Sequence, residues 1–190
     1  MEIETFCPTS RKAWRAWLAE NHESKQSIWL IYYKKQSAIP SITYSEAVDE
    51  ALCFGWIDSL KKKLDEDRSI QFFCKRKPKS VWSKINKAKV KSLIDQGLMT
   101  TSGFKSIEVA NQNGSWTILD EVEELKIPTD LAAAFKARKG SADFFLGLSR
   151  SAKKAILQWL VMAKRSETRQ KRIDEIATLA AQELKPVQFR

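Results

Sequence analysis

Two stretches of the chain gather residue types that do chemistry. In Tyr44–Ser59, Glu46, Asp49 and Glu50 fall within two turns of a helix around Cys53. Carboxylates held that close raise one another's pKa, a route to a general acid or base. The plainer alternative is a solvated helix face whose acids offset neighbouring lysines. In Lys75–Asn86, a basic loop runs into a helix start, where free N–H groups and the helix dipole favour an anion. Ser80 and Ser83 add hydroxyl donors and Trp82 a flat surface for a ring. Here the plainer alternative is a capping serine, a buried Trp and a basic surface loop. With Trp56 and Asp58 just past the first helix and Asn86 on the next, the candidate ligand-binding residues are Trp56, Asp58, Arg76, Lys77, Ser80, Trp82, Ser83 and Asn86. A third cluster, Arg165, Arg169 and Arg172, has the three- and four-residue spacing that shares one helix face and could grip phosphate or carboxylate. A solvated helix with internal Glu–Arg pairs would explain the same letters. His22, the single histidine, sits at a helix end and reads as an exposed turn residue rather than a catalytic one.

The elements that must position these residues follow from period and punctuation. Ser10 caps a helix carrying Ala13, Trp14, Trp17 and Leu18 on one face. Ser27–Lys35, rich in β-branched and aromatic residues, predicts a strand covered on both faces. Thr43 or Ser45 opens the helix that runs to about Phe54. Its Ala47, Val48, Ala51, Leu52 and Phe54 point inward, the acids and Cys53 point outward, and Gly55 supplies a left-handed end. Trp56–Leu64 and Arg68–Lys75 predict a hairpin turning at Asp65–Asp67. Ser80 or Ser83 caps a helix stopped by Gly97, and Thr101 or Ser102 opens one closed by Gly114. Trp116–Leu119 reads as a short extended piece and Asp120–Glu124 as a linker. Helices then follow: one capped by Thr129 and ending at Gly140, a short one capped by Ser141, one capped by Ser149, and a last one from Ser166. The last buries Ile173, Ile176, Ala177 and Ala180. The expected fold is α+β, a small, mainly antiparallel sheet with packed helices over residues 1–120. A helical C-terminal region, residues 121–190, is expected to pack on it.

Composition narrows the partners. Lys and Arg outnumber Asp and Glu by 33 to 23, a net charge of +10, so an anionic small molecule, an acidic partner or nucleic acid is favoured. No apolar run reaches the ~20 residues of a transmembrane helix. The acidic N-terminal stretch lacks the basic and apolar regions of a signal peptide. Cys7, Cys53 and Cys74 form no Cys-x-x-Cys pair, so neither a disulfide framework nor a zinc site is expected, and no other cofactor is implied. A cytoplasmic location is the resulting expectation.

Ala51-Leu-Cys-Phe-Gly-Trp-Ile-Asp-Ser59 resembles a motif of the YdeI/OmpD-associated, or bacteriocin-protection, family. Lys77-Pro-Lys-Ser-Val-Trp-Ser-Lys-Ile-Asn-Lys87, Gly97-Leu-Met99 with Gly103, and Ala163 to Ile173 resemble its further blocks, nearly the whole chain in all. Where that family usually has Thr-Pro-Arg, this chain has Cys74-Lys75-Arg76. The resemblance implies a bacterial protein protecting against bacteriocins or cationic peptides, sometimes periplasmic, with no catalytic set to carry over. The leading reading is anionic-ligand binding in such a role. Nucleic-acid binding is the alternative, and an enzyme using Glu46, Asp49 and Asp58 comes third.

Overall fold

The computed structural model describes residues 4–34 and 36–190. Lys35, the expected end of a strand, lies outside the described residues, as do the first three residues of the acidic N-terminal stretch. The chain divides into two compact units, Met1–Trp116 and Thr117–Arg190.

The first unit runs β1 (Thr5–Phe6), α1 (Arg11–Asn21), β2 (Ser27–Tyr33), α2 (Tyr44–Cys53), β3 (Trp56–Lys63), β4 (Arg68–Lys75), α3 (Lys84–Asp95) and α4 (Thr101–Gln112). The sheet order is β1-β2-β4-β3. β4 pairs antiparallel with both β2 and β3, while β1 lies parallel to β2, so the sheet is mixed but mainly antiparallel. The β3–β4 hairpin turns where the acidic triplet predicts, with Asp65 accepting from the backbone N–H groups of Asp67 and Arg68.

β2 corrects one expectation. Its burial strictly alternates: Ile28, Leu30 and Tyr32 are buried, while Trp29, Ile31 and Tyr33 are half-exposed. Only one face is covered. The aromatics of the other shelter one another, with Trp29 against Phe72 at 5.1 Å and Lys62 over the Trp29 ring. Apolar letters on both faces record cross-strand contact as well as depth.

α2 sits at the centre. Thr43 and Glu46 close a reciprocal capping box at its start, and α1, β3, α3 and α4 all pack around it. So enclosed, it buries more than a single stripe. Ala47, Val48, Ala51 and Leu52 are inside, and so are Glu50 and Cys53, which the wheel placed outward. The remaining core joins Trp14, Leu18, Phe73, Trp82, Val90 and Ala110 from the surrounding elements.

The second unit is helical: α5 (Asp120–Glu123), α6 (Thr129–Lys136), α7 (Ser141–Gly147), α8 (Arg150–Val161), α9 (Ser166–Ala180) and a 3-10 turn at Val187–Phe189. Several expectations change here. Trp116–Leu119 is turn rather than extended, and the acidic stretch forms a helical turn anchored by buried Val122. α6 starts after Pro128 and stops at Lys136, with Gly140 in a left-handed conformation beyond it. Ser141 does not cap; it is buried and donates to the carbonyls of Phe135 and Arg138. Ile173, Ile176, Ala177 and Ala180 all face inward as spaced. Among the described residues no helix is long and apolar enough to cross a membrane.

Candidate functional site

The site is built at the junction of α2 and α4. Gly55, at φ +72°, turns the chain out of α2, and an added Cβ there would meet the Ser102 carbonyl oxygen at 2.8 Å. Gly103 presses α4 still closer to α2; a Cβ there would stand 2.2 Å from the Cys53 carbonyl oxygen. That carbonyl accepts from both the Thr100 N–H (3.1 Å) and the Thr100 hydroxyl (2.6 Å). Thr100 caps α4 and thereby fixes its first turn beside the end of α2.

The basic segment arrives from β4. Arg76 N–H donates to the Gly55 carbonyl at 2.9 Å, and Lys75 N–H donates to Gln26 at 3.0 Å. The second bond exists because this chain has Lys75 where a proline, which carries no N–H, could not donate. The loop is then tied down through the Pro78 carbonyl, which accepts from the Asn113 amide at 2.8 Å.

These elements enclose a cavity of about 380 Å³, lined by His22, Phe54, Gly55, Trp56, Lys75, Arg76, Lys77, Pro78, Trp82, Ser102, Lys105, Ser106 and others. Such a volume suits a small molecule. Glu23 is the one acid among the lining residues. Arg76 dominates the wall. Its guanidinium lies 3.6 Å from the Trp82 ring centroid, and Nη2 donates to the Val81 carbonyl. Its Nε and Nη1 are buried and meet no acceptor among the described residues, as is true of Trp82 Nε1. Burial pushes the guanidinium down to about 10, with the Asp58 charge countering, so it stays a cation at neutral pH. Trp56 Nε1 donates to the His22 carbonyl at 3.3 Å and braces the opposite side.

Of the residues singled out in the sequence, the cavity gathers Trp56, Arg76, Lys77 and Trp82. Ser83 is the cap of α3, accepting from Asn86 N–H at 3.2 Å, and Ser80 N–H closes a turn onto Lys77. Ser80, Ser83 and Asn86 are not part of the lining. Asp58 accepts from the Tyr44 hydroxyl (2.8 Å) and the Gln71 amide (3.2 Å), two residues that line a second cavity of about 410 Å³.

The three acids of α2 go separate ways. Glu46 is held below the usual carboxylate range by the Thr43 hydroxyl and N–H. Asp49 pairs with Lys89 at 2.6 Å. Glu50, its side chain 2% exposed, binds Arg11 at 2.5 Å and Arg15 at 2.6 Å. A shared acid/base face is not formed. The arginine cluster separates as well: Arg169 grips Asp130 through two bonds (2.6 and 3.0 Å), Arg172 bonds the Trp159 carbonyl and stacks on its ring, and Arg165 is exposed.

His22 overturns the reading of an exposed turn residue. Its side chain is 15% exposed, lines the cavity and contacts Ser102. Ser102, Lys105 and Ser106 carried no signal beyond helix-start letters, because their partners lie far away in sequence.

A family model described as "Bacteriocin-protection, YdeI or OmpD-Associated" matches residues 124–183, which include the Ala163–Ile173 block. That match is narrower than the resemblance implies, since Ala51–Ser59 and Lys77–Lys87 fall outside it. Neither a curated protein nor a solved structure matches the chain. Residues 6–106 match the family model described as "Domain of unknown function (DUF8412)". That model spans more than half of the chain and every residue lining the cavity except Val109, so the chain belongs to this family of unknown function.

Proposed function

We propose that the protein binds a small anion, a carboxylate or a phosphate with an apolar portion, in the cavity around Arg76. One observation carries this reading: Arg76, a buried guanidinium with two donors that meet no acceptor among the described residues, belongs to a wall otherwise furnished with lysines. Removing a cation from water costs several kcal/mol unless an anion compensates it. A bound carboxylate or phosphate would supply that compensation through charge-assisted bonds. The aromatic and aliphatic lining, Phe54, Trp56, Pro78 and Val109, suits the apolar portion of such a ligand.

A role in protection against bacteriocins or cationic peptides would run through this ligand. With a net charge of +10, the chain repels a cationic peptide at a distance, which speaks against direct capture.

Calorimetric titration of inorganic phosphate and of short-chain and aromatic carboxylates into the protein and into Arg76→Met tests the reading. Saturable binding to one site is expected, weakened at least tenfold in the variant. Equal binding by both proteins, or none by either, would refute it.

A further inference from the structure

His22 and Ser102 line the same cavity as Arg76. His22 Nδ1 lies 2.8 Å from the Leu18 carbonyl oxygen, which can only accept, so Nδ1 carries the ring proton and Nε2 presents a lone pair. Nε2 is 3.0 Å from Ser102 Oγ, which makes the serine the donor. The ring is held in this orientation edge-on against Phe54 at 5.0 Å. A hydroxyl facing a base whose tautomer is fixed by a third group is the arrangement that activates a serine nucleophile. Both side chains line the cavity that contains Arg76 and Lys105. Ser102 also stands in the first turn of α4, where the N–H groups of Thr101 and Ser102 meet no acceptor among the described residues. Those donors and the helix dipole favour negative charge at this end of α4.

We infer that Ser102 and His22 are a nucleophile–base pair that hydrolyses a small ester bearing a separate carboxylate or phosphate, which Arg76 holds. Ser102 Oγ bonds to the ester carbonyl carbon as its proton passes to His22 Nε2. The carbon–alkoxide bond then breaks, and the alcohol leaves with that proton. Water, giving a proton to Nε2, attacks the acyl-serine; the proton returns to Oγ, and the carboxylic acid is released. The net change is one ester and one water to one acid and one alcohol.

This inference rests on the anion reading, and the experiment separates the two. Mono(4-nitrophenyl) succinate, an ester with a free carboxylate, is incubated with the full-length protein, with Ser102→Ala and with His22→Gln. Nitrophenol release is followed together with peptide mass spectrometry of the acylated residue. Phosphate binding is measured in parallel on all three proteins. The expected result is succinylation at Ser102 and turnover slowed by phosphate, falling ~100-fold or more in either variant while both still bind phosphate. Wild-type phosphate binding with no hydrolysis, with acylation confined to Lys75 or Lys105, or with a rate unchanged in Ser102→Ala would overturn the pair and leave the anion site standing. No phosphate binding by any of the three proteins would overturn the anion site itself, and hydrolysis insensitive to phosphate would overturn the role given to Arg76.

Discussion

At the scale of single residues, the sharpest contrast is between two buried charges. Glu50 is compensated twice, by Arg11 and Arg15, each about a third exposed (36% and 34%). Among the described residues Arg76 touches the Trp82 face and the Val81 carbonyl, and the nearest compensating charge is that of Asp58, which forms no ion pair with it. The two should respond oppositely to substitution. Glu50→Gln strands two guanidinium groups, which re-solvate in part, so the loss should be about 2–3 kcal/mol, below the ~3–5 of a fully buried pair. Chemical denaturation measures it, and a change under ~0.5 kcal/mol would show the pair to be idle. Arg76→Met keeps the stem on Trp82 and removes an undercompensated charge. The lost carbonyl bond and ring contact are offset by relief of desolvation, so stability should shift by less than ~2 kcal/mol even as anion binding falls. Residue letters allowed half of this to be read. A basic loop with Trp82 marks an anion-favouring segment, but the wheel of α2 could not show Glu50 turning inward. That depended on Arg11 and Arg15, 39 and 35 residues away. His22 and Ser102 are 80 apart, and no local pattern joins them.

Among the elements, the α2–α4 contact sets the geometry of the site. Gly103→Ala would drive a methyl into the Cys53 carbonyl, a backbone atom that cannot rotate away. A loss of about 1–3 kcal/mol is expected, along with weaker anion binding as Lys105 shifts. A variant with unchanged melting temperature would show that the helices do not need this approach. In the second unit, the Arg169 side chain holds Asp130 below the usual carboxylate range. A depressed carboxylate stabilises the fold above its unfolded pKa of ~4 and loses that contribution as pH falls through the folded value. Asp130→Asn should therefore matter at pH 7 and cease to matter in stronger acid, as seen in melting curves of both proteins across pH. A gap between the curves that persisted in acid would contradict this. Long periodic elements and capped starts were legible: α1, α2, the β3–β4 hairpin and α9 follow from caps, alternation and the Asp65–Asp67 turn. Two-residue β1 has no period to read, and α5 hides one buried Val122 among three acids.

For the molecule as a whole, charge and cavity favour different partners. A net charge of +10 suits any polyanion, whereas the cavity has room for a few anionic contacts. Salt dependence distinguishes them. Small-anion binding should weaken gently with salt, while an oligonucleotide spread over several lysines would show a log–log slope of about −0.7 to −0.9 per phosphate engaged. A steep slope for the tightest ligand found would favour the nucleic-acid alternative. The most direct test locates the anion itself, in crystals of the full-length protein soaked in selenate and mapped by selenium anomalous scattering. The expected result is a peak in the cavity within hydrogen-bonding distance of the Arg76 guanidinium, absent in Arg76→Met. Peaks only at exposed lysines, or at the start of α3 beside Ser83 with the cavity empty, would contradict the account.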